Sequence, residues 1–126
     1  MSLVLDSGAL IALEKNDRAM WCRLKTALLA KSVPVSHGGI VGQVWRGGGP
    51  RQALLALALA GIDVRPLDDS LGRAAGSLLG RDGSADVIDA ALVLLAYDGD
   101  DIVTSEPEDI EPLATCLGRH VELLRV

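Results

Sequence analysis

Apolar residues recur along this chain in two rhythms. Short unbroken runs, Leu3-Val4-Leu5 and Ile102-Val103, lie between turn-forming residues and read as strands buried on both sides. Ile62-Asp63-Val64-Arg65-Pro66 alternates as a half-buried strand does, Val33-Pro34-Val35 is a weaker strand, and Val121-Glu122-Leu123-Leu124 closes the chain as another. Longer stretches space their apolar residues for helices. Met20, Trp21, Leu24, Ala27 and Leu28 share one face of a helix that starts after Asn16-Asp17 and runs to about residue 31.

Punctuation between these runs predicts the remaining helices. Asp6 or Ser7 can cap a short helix through Leu13. A second short helix, 38–46, stops at Gly47-Gly48-Gly49. Pro50 opens the next, which Gly61 ends. Asp68-Asp69-Ser70 caps a helix to Leu79, with Gly80 closing it. Ser84 caps a helix over 85–97, Asp98-Gly99-Asp100 forms a turn, and Pro107 opens a helix that Gly118 ends. Strands interleaved with helices make an α/β fold. The expectation is a three-layer sandwich: about five parallel strands, about seven helices on both faces, right-handed crossovers, and one domain over 1–126.

Composition changes this picture little. Nearly half of the 126 residues are hydrophobic, enough for a sizeable aliphatic core. Trp21, Trp45 and Tyr97 are the only aromatics, which argues against a base-stacking platform for single-stranded nucleic acid. Cys22 and Cys116 are too few for a disulfide framework or a zinc finger. No leader is legible, since Asp6 interrupts the first apolar run, and the runs at 53–60 and 90–97 are too short to span a bilayer. A soluble cytoplasmic protein is expected.

Charge changes it more. The net charge of −5 hides a marked division: residues 82–111 carry ten acids and no Lys or Arg, whereas residues 1–81 carry ten Lys/Arg against six acids. Asp98, Asp100 and Asp101 read as solvated turn residues. The others include acids at telling places. Asp6 follows the first strand, Asp86 and Asp89 open an apolar helix, and Glu106 follows the strand after it. In parallel sheets the functional crevice lies beyond the carboxyl ends of the strands, and both strand-borne acids fall there. Gathered carboxylates repel unless a cation sits among them. Mg2+ and Mn2+ prefer such oxygen ligands, and a bound ion can activate water against a phosphodiester.

Three segments carry a family resemblance. Val4-Leu5-Asp6-Ser7, Asp89-Ala90-Ala91-Leu92 and Val103-Thr104-Ser105-Glu106 resemble, in order and spacing, the acid motifs of the PIN-domain ribonucleases, and within them the VapC-type toxins of toxin–antitoxin pairs. The resemblance runs over nearly the whole chain. It implies an Mg2+- or Mn2+-dependent endoribonuclease, with Asp6, Asp89 and Glu106 catalytic and Asp6, Asp86, Asp89 and Glu106 around the metal. It also implies an RNA substrate, a cognate antitoxin and a homodimer. The family's usual glutamate on the helix after the second strand is Gln43 here, and Asp86 is the candidate to replace its charge.

Other residues complete the expectation. Gln43, Thr104 and Ser105 are candidates to support the ion's ligands, and Arg46, Arg51 and Arg81 to contact RNA phosphates. Asp109, in the first turn of the last helix, ranks below these, and His37 reads as a loop residue beside Gly38-Gly39. The competing readings are a PIN module that binds RNA or protein without cutting, for which Gln43 speaks, and a receiver-like phosphorylation switch. The switch lacks the lysine it needs at the end of the last strand.

Overall fold

The computed structural model describes residues 2–126. Five strands form one parallel sheet in the order β3-β2-β1-β4-β5. They are β1 (Leu3–Leu5), β2 (Val35–His37), β3 (Asp63–Arg65), β4 (Asp101–Thr104) and β5 (Glu122–Arg125). Seven α-helices join them: α1 (Ser7–Glu14), α2 (Arg18–Leu29), α3 (Gly38–Val44), α4 (Ala53–Leu59), α5 (Asp69–Asp82), α6 (Val87–Leu95) and α7 (Pro107–Leu117). A 3-10 turn, Pro50–Gln52, leads into α4. The helices pack in two groups that sandwich the sheet: α1 with α2, α3 and α4, and α5, α6 and α7 with one another. Among the described residues no helix is long and apolar enough to cross a membrane.

The central strands show why short apolar runs suffice. Val4, Leu5, Ile102 and Val103 are fully buried, with helices over both sheet faces. Each contributes at most about 1.5–3 kcal/mol by leaving water. Leu10, Leu13, Ile40 and Leu55 pack from one helical group, and Leu78, Leu92 and Ile110 from the other. On α2, Met20 and Leu24 enter the core, whereas Leu29 is 85% exposed and Leu28 is also outside.

Four local expectations are corrected. The 85–97 helix starts later, because Asp86 rather than Ser84 caps it: Asp86 Oδ1 accepts the N–H groups of Ile88 (3.0 Å) and Asp89 (3.1 Å). The helix before it passes Gly80 and ends at Gly83, whose φ of 84° is the left-handed closing conformation. Asp100 is no solvated turn residue. It is buried, and its carboxylate accepts Ser2 N–H at 2.8 Å and Tyr97 N–H at 2.9 Å, closing the turn that leads into β4. His37 is the last residue of β2 and wholly buried, not a loop residue.

Because all strands run the same way, Asp6 and the 104–106 segment come to the same sheet edge, next to each other, since β1 pairs with β4. The start of α6 arrives at that edge too, through a contact with the end of β2.

Candidate functional site

The site is built on the ends of two neighbouring strands. Asp6 is 7% exposed and caps α1, its Oδ1 accepting Ser7 N–H at 2.7 Å. Its Oδ2 accepts the Thr104 hydroxyl at 2.6 Å. Thr104 Oγ1 in turn accepts Glu106 N–H at 3.0 Å. The tightness of this corner is visible at Gly8: a Cβ there would lie 2.6 Å from Ser105 Oγ and 2.9 Å from Ser105 N. Arg125, on the edge strand, steadies the outer side by donating to Ser105 O (2.9 Å) and Glu108 Oε2 (3.1 Å).

Around Asp6 the acids form two pairs. Asp89 is half-buried in the first turn of α6, and its carboxyl is pushed up to about 7. Burial is the largest cause, followed by the charges of Asp86, Asp6 and Asp109 and a hydrogen bond with Asp86. Glu106 is raised by a hydrogen bond with Asp109, then by the charges of Asp109, Glu108 and Asp6. The three ion pairs among the described residues, Arg65–Asp63, Arg73–Asp69 and Arg125–Glu108, involve none of Asp6, Asp86, Asp89, Glu106 and Asp109. A cleft of about 400 Å³ between α6 and α7 continues the acidic surface, lined by Asp82, Asp86, Asp89, Glu108 and Asp109 with Ser84 and Pro112. Larger and more apolar grooves run along α2, one at the amino ends of β1 and β4, away from the acids.

Five oxygen-bearing acids repelling one another are a donor set suited to a hard divalent cation. Among the described residues no three acidic, His or Cys side chains converge tightly enough to hold an ion alone. Mg2+ and Mn2+ ordinarily take one or two carboxylates and complete their shell with water and substrate phosphate, so the chemistry of the residues fits while their spacing leaves part of the shell to other ligands.

The predicted residues separate accordingly. Asp6, Asp86, Asp89, Glu106 and Thr104 come together, whereas Ser105 is exposed and packs its side chain and backbone N against Gly8. Gln43 is exposed on α3, and its carbonyl accepts from Arg46. The Arg46 guanidinium folds back onto the carbonyls of Gly42, Gln43 and Trp45, ending α3. Arg51 and Arg81 are exposed. Asp109, ranked below the other acids in the sequence, lies beside Glu106. Its place three residues after Glu106 brings the two carboxyls together. Gln52, buried, was not anticipated at all. It accepts the N–H groups of Arg46 and Gly48 (both 2.9 Å) and donates to Glu14 (2.8 Å), bracing the glycine loop.

No protein-family model matches this chain, and no curated protein does. Solved structures do. A chain of the VapBC2 structure from Rickettsia felis, crystallised bound to a DNA fragment from their promoter, superposes with a TM-score of 0.65 at 15% identity, covering 98% of both chains. At that identity the match establishes a shared α/β fold over the full length of the chain.

Proposed function

We propose that this protein is a divalent-metal-dependent endoribonuclease of the VapC type, the toxin partner of an antitoxin. The observation that carries the reading is the gathering of Asp6, Asp86, Asp89, Glu106 and Asp109 beside the carboxyl ends of β1 and β4, with none of the observed ion pairs reaching them. Perturbed carboxylates cluster at functional sites. The shared fold with a VapBC2 chain supports the toxin assignment and an antitoxin partner.

In this reading Asp6 and Asp89, with Asp86, Glu106 and Asp109 nearby, would hold Mg2+ or Mn2+. Such an ion, when bound, supplies charge against the phosphate and acidifies a coordinated water. The chain's own residues do the rest. Thr104 holds the Asp6 carboxylate still while it faces the crevice. With the ion bound, its charge would hold the Asp89 carboxyl ionised, as a ligand beside the attacking water. Arg51 and Arg81 are available to RNA phosphates, whereas Arg46 is already bonded to α3. A homodimer is part of the same proposal.

Gln43 favours a second reading, a PIN-like module that binds RNA or protein with weakened or no cleavage, because an exposed amide brings no charge to the acids. One experiment separates the two. Structured RNAs are incubated with Mg2+ or Mn2+ and wild type, Asp6→Asn, Asp89→Asn or Gln43→Glu. The nuclease reading expects cleavage by wild type and its loss in both Asn variants. Cleavage that survives both would overturn the site, and activity gained only by Gln43→Glu would favour the second reading.

A further inference from the structure

β2 ends in two wholly buried polar side chains, Ser36 and His37. Successive strand residues point to opposite sides, and each of these reaches a different acid-bearing element. Ser36 Oγ donates to the carbonyl of Leu5, the residue before Asp6, at 2.9 Å. His37 Nε2 lies 3.0 Å from the carbonyl oxygen of Ile88, the residue before Asp89.

The other ring nitrogen sets the tautomer. His37 Nδ1 accepts Gly39 N–H at 3.1 Å, so the ring proton sits on Nε2 and is donated to Ile88. Burial lowers the His37 pKa and so favours the neutral ring that the bond from Gly39 N–H needs. Packing holds the ring in place independently. A Cβ on Gly39 would come within 2.5 Å of Ile88 Cδ1 and 2.9 Å of His37 Cε1, so the first turns of α3 and α6 touch with the imidazole between them.

We propose that His37 is a positioning residue for Asp89: its Nε2–H pins the Ile88 carbonyl and so fixes where the first turn of α6 presents the Asp89 carboxyl to Asp6. The inference rests on the reading of these acids as an ion-binding site. His37 is not a general base in it, since its hydrogen bonds go to the backbone at Gly39 and Ile88.

The test compares wild type, His37→Gln and His37→Asn in the full chain. A Gln amide can reach the place of Nε2 and donate to Ile88. An Asn amide reaches only the place of Nδ1. Two quantities are measured: Mn2+ affinity by calorimetry, and amide hydrogen exchange over residues 89–92 relative to the core strands. His37→Asn is expected to weaken Mn2+ binding about 10–100-fold, the usual loss on removing an outer support of a metal ligand, and to speed exchange selectively in α6. His37→Gln is expected to recover most of both. Equal losses in the two variants, or none in His37→Asn, would overturn the proposal. Ring 15N spectra of the wild type need no variant to fold: a proton found on Nδ1 overturns it as well. Wild-type Mn2+ affinity that Asp89→Asn leaves unchanged would refute the ion site instead, and the exchange comparison then decides the tether by itself.

Discussion

The Thr104 hydroxyl donates a 2.6 Å hydrogen bond to Oδ2 of Asp6 and so locks the end of β1 to the end of β4. It also accepts Glu106 N–H, which makes one buried side chain responsible for both strand-borne acids. Thr104→Val keeps nearly the same shape but leaves a buried carboxylate oxygen and an N–H without this partner. Hydrogen bonds to charged groups contribute about 1.5–3 kcal/mol, and a loss of that size is expected in urea unfolding. Thr104→Ser keeps the hydroxyl and should lose clearly less. Equal losses would mean that the methyl group's packing, not the hydrogen bond, is what matters.

Stability should also depend on pH through Asp89. The folded protein holds this proton to about 7, whereas the unfolded chain releases it near the ordinary value of 3.8. Between those values the folded state binds more protons, so stability falls as pH rises through the window and levels off above it. Asp101 and Glu106 are raised as well, Asp101 chiefly by burial, and act in the same direction. Asp89→Asn removes the largest contribution. The variant is expected to be more stable than wild type near pH 8, with the difference vanishing below about pH 4. Urea midpoints that run parallel for the two proteins over that range would contradict the assignment of the raised carboxyl to Asp89.

What made the strands and acids legible is also what hid their supports. Leu3-Val4-Leu5 and Ile102-Val103 are central strands, and burial on both faces leaves an apolar run that any reading detects. Asp6 and Asp17 announce helix starts by position, and both accept N–H groups there. Asp86 announces one too, but Ser84 offers the same chemistry two residues earlier, and only the path of the chain decides between them. Asp100 looks like its neighbour Asp98 in a turn. It differs because the Ser2 and Tyr97 N–H groups, one of them nearly a hundred residues away, converge on it. His37 carries no periodic signal, and its partner Ile88 is brought close only by the packing of α6 on β2. Local rules find caps and strands, and contacts across the sheet lie beyond them.

A cation that relieves the repulsion should reverse the pH penalty. Under the proposed function, Mn2+ at about 100 times its Kd would stabilise the protein by about 2.7 kcal/mol. For a chain of this length that is a rise in Tm on the order of 10 °C. Chelation should return the melting curve to its starting point. Asp6→Asn or Asp89→Asn should abolish the rise, whereas Asp63→Asn, in an exposed pair with Arg65 on the far edge strand, should leave it intact. A rise of equal size in all of these variants would place the ion elsewhere on the acidic surface.

Two glycines should respond to alanine with opposite signs. Gly76 lies inside α5 with nothing within 4 Å of where a Cβ would stand, so Gly76→Ala should gain roughly 0.5–1 kcal/mol by restricting the unfolded chain. Gly8 lies in the first turn of α1, and there a methyl group would meet Ser105 Oγ at 2.6 Å, Ser105 Cβ at 2.7 Å and Ser105 N at 2.9 Å. Its φ is not left-handed, so the requirement is for space rather than conformation. Overpacking of this kind costs about 1–3 kcal/mol, which outweighs the helical preference for alanine. Adding Ser105→Gly removes the side-chain clash but not the backbone one, so the double variant should recover only part of the loss. Because the turn that must move leads into Glu106, Gly8→Ala should also weaken Mn2+ binding, which Gly76→Ala should not. If Gly8→Ala were as stabilising as Gly76→Ala, α1 would not be seated on the turn after β4, and the close placement of Asp6 beside Thr104 and Glu106 would fail with it.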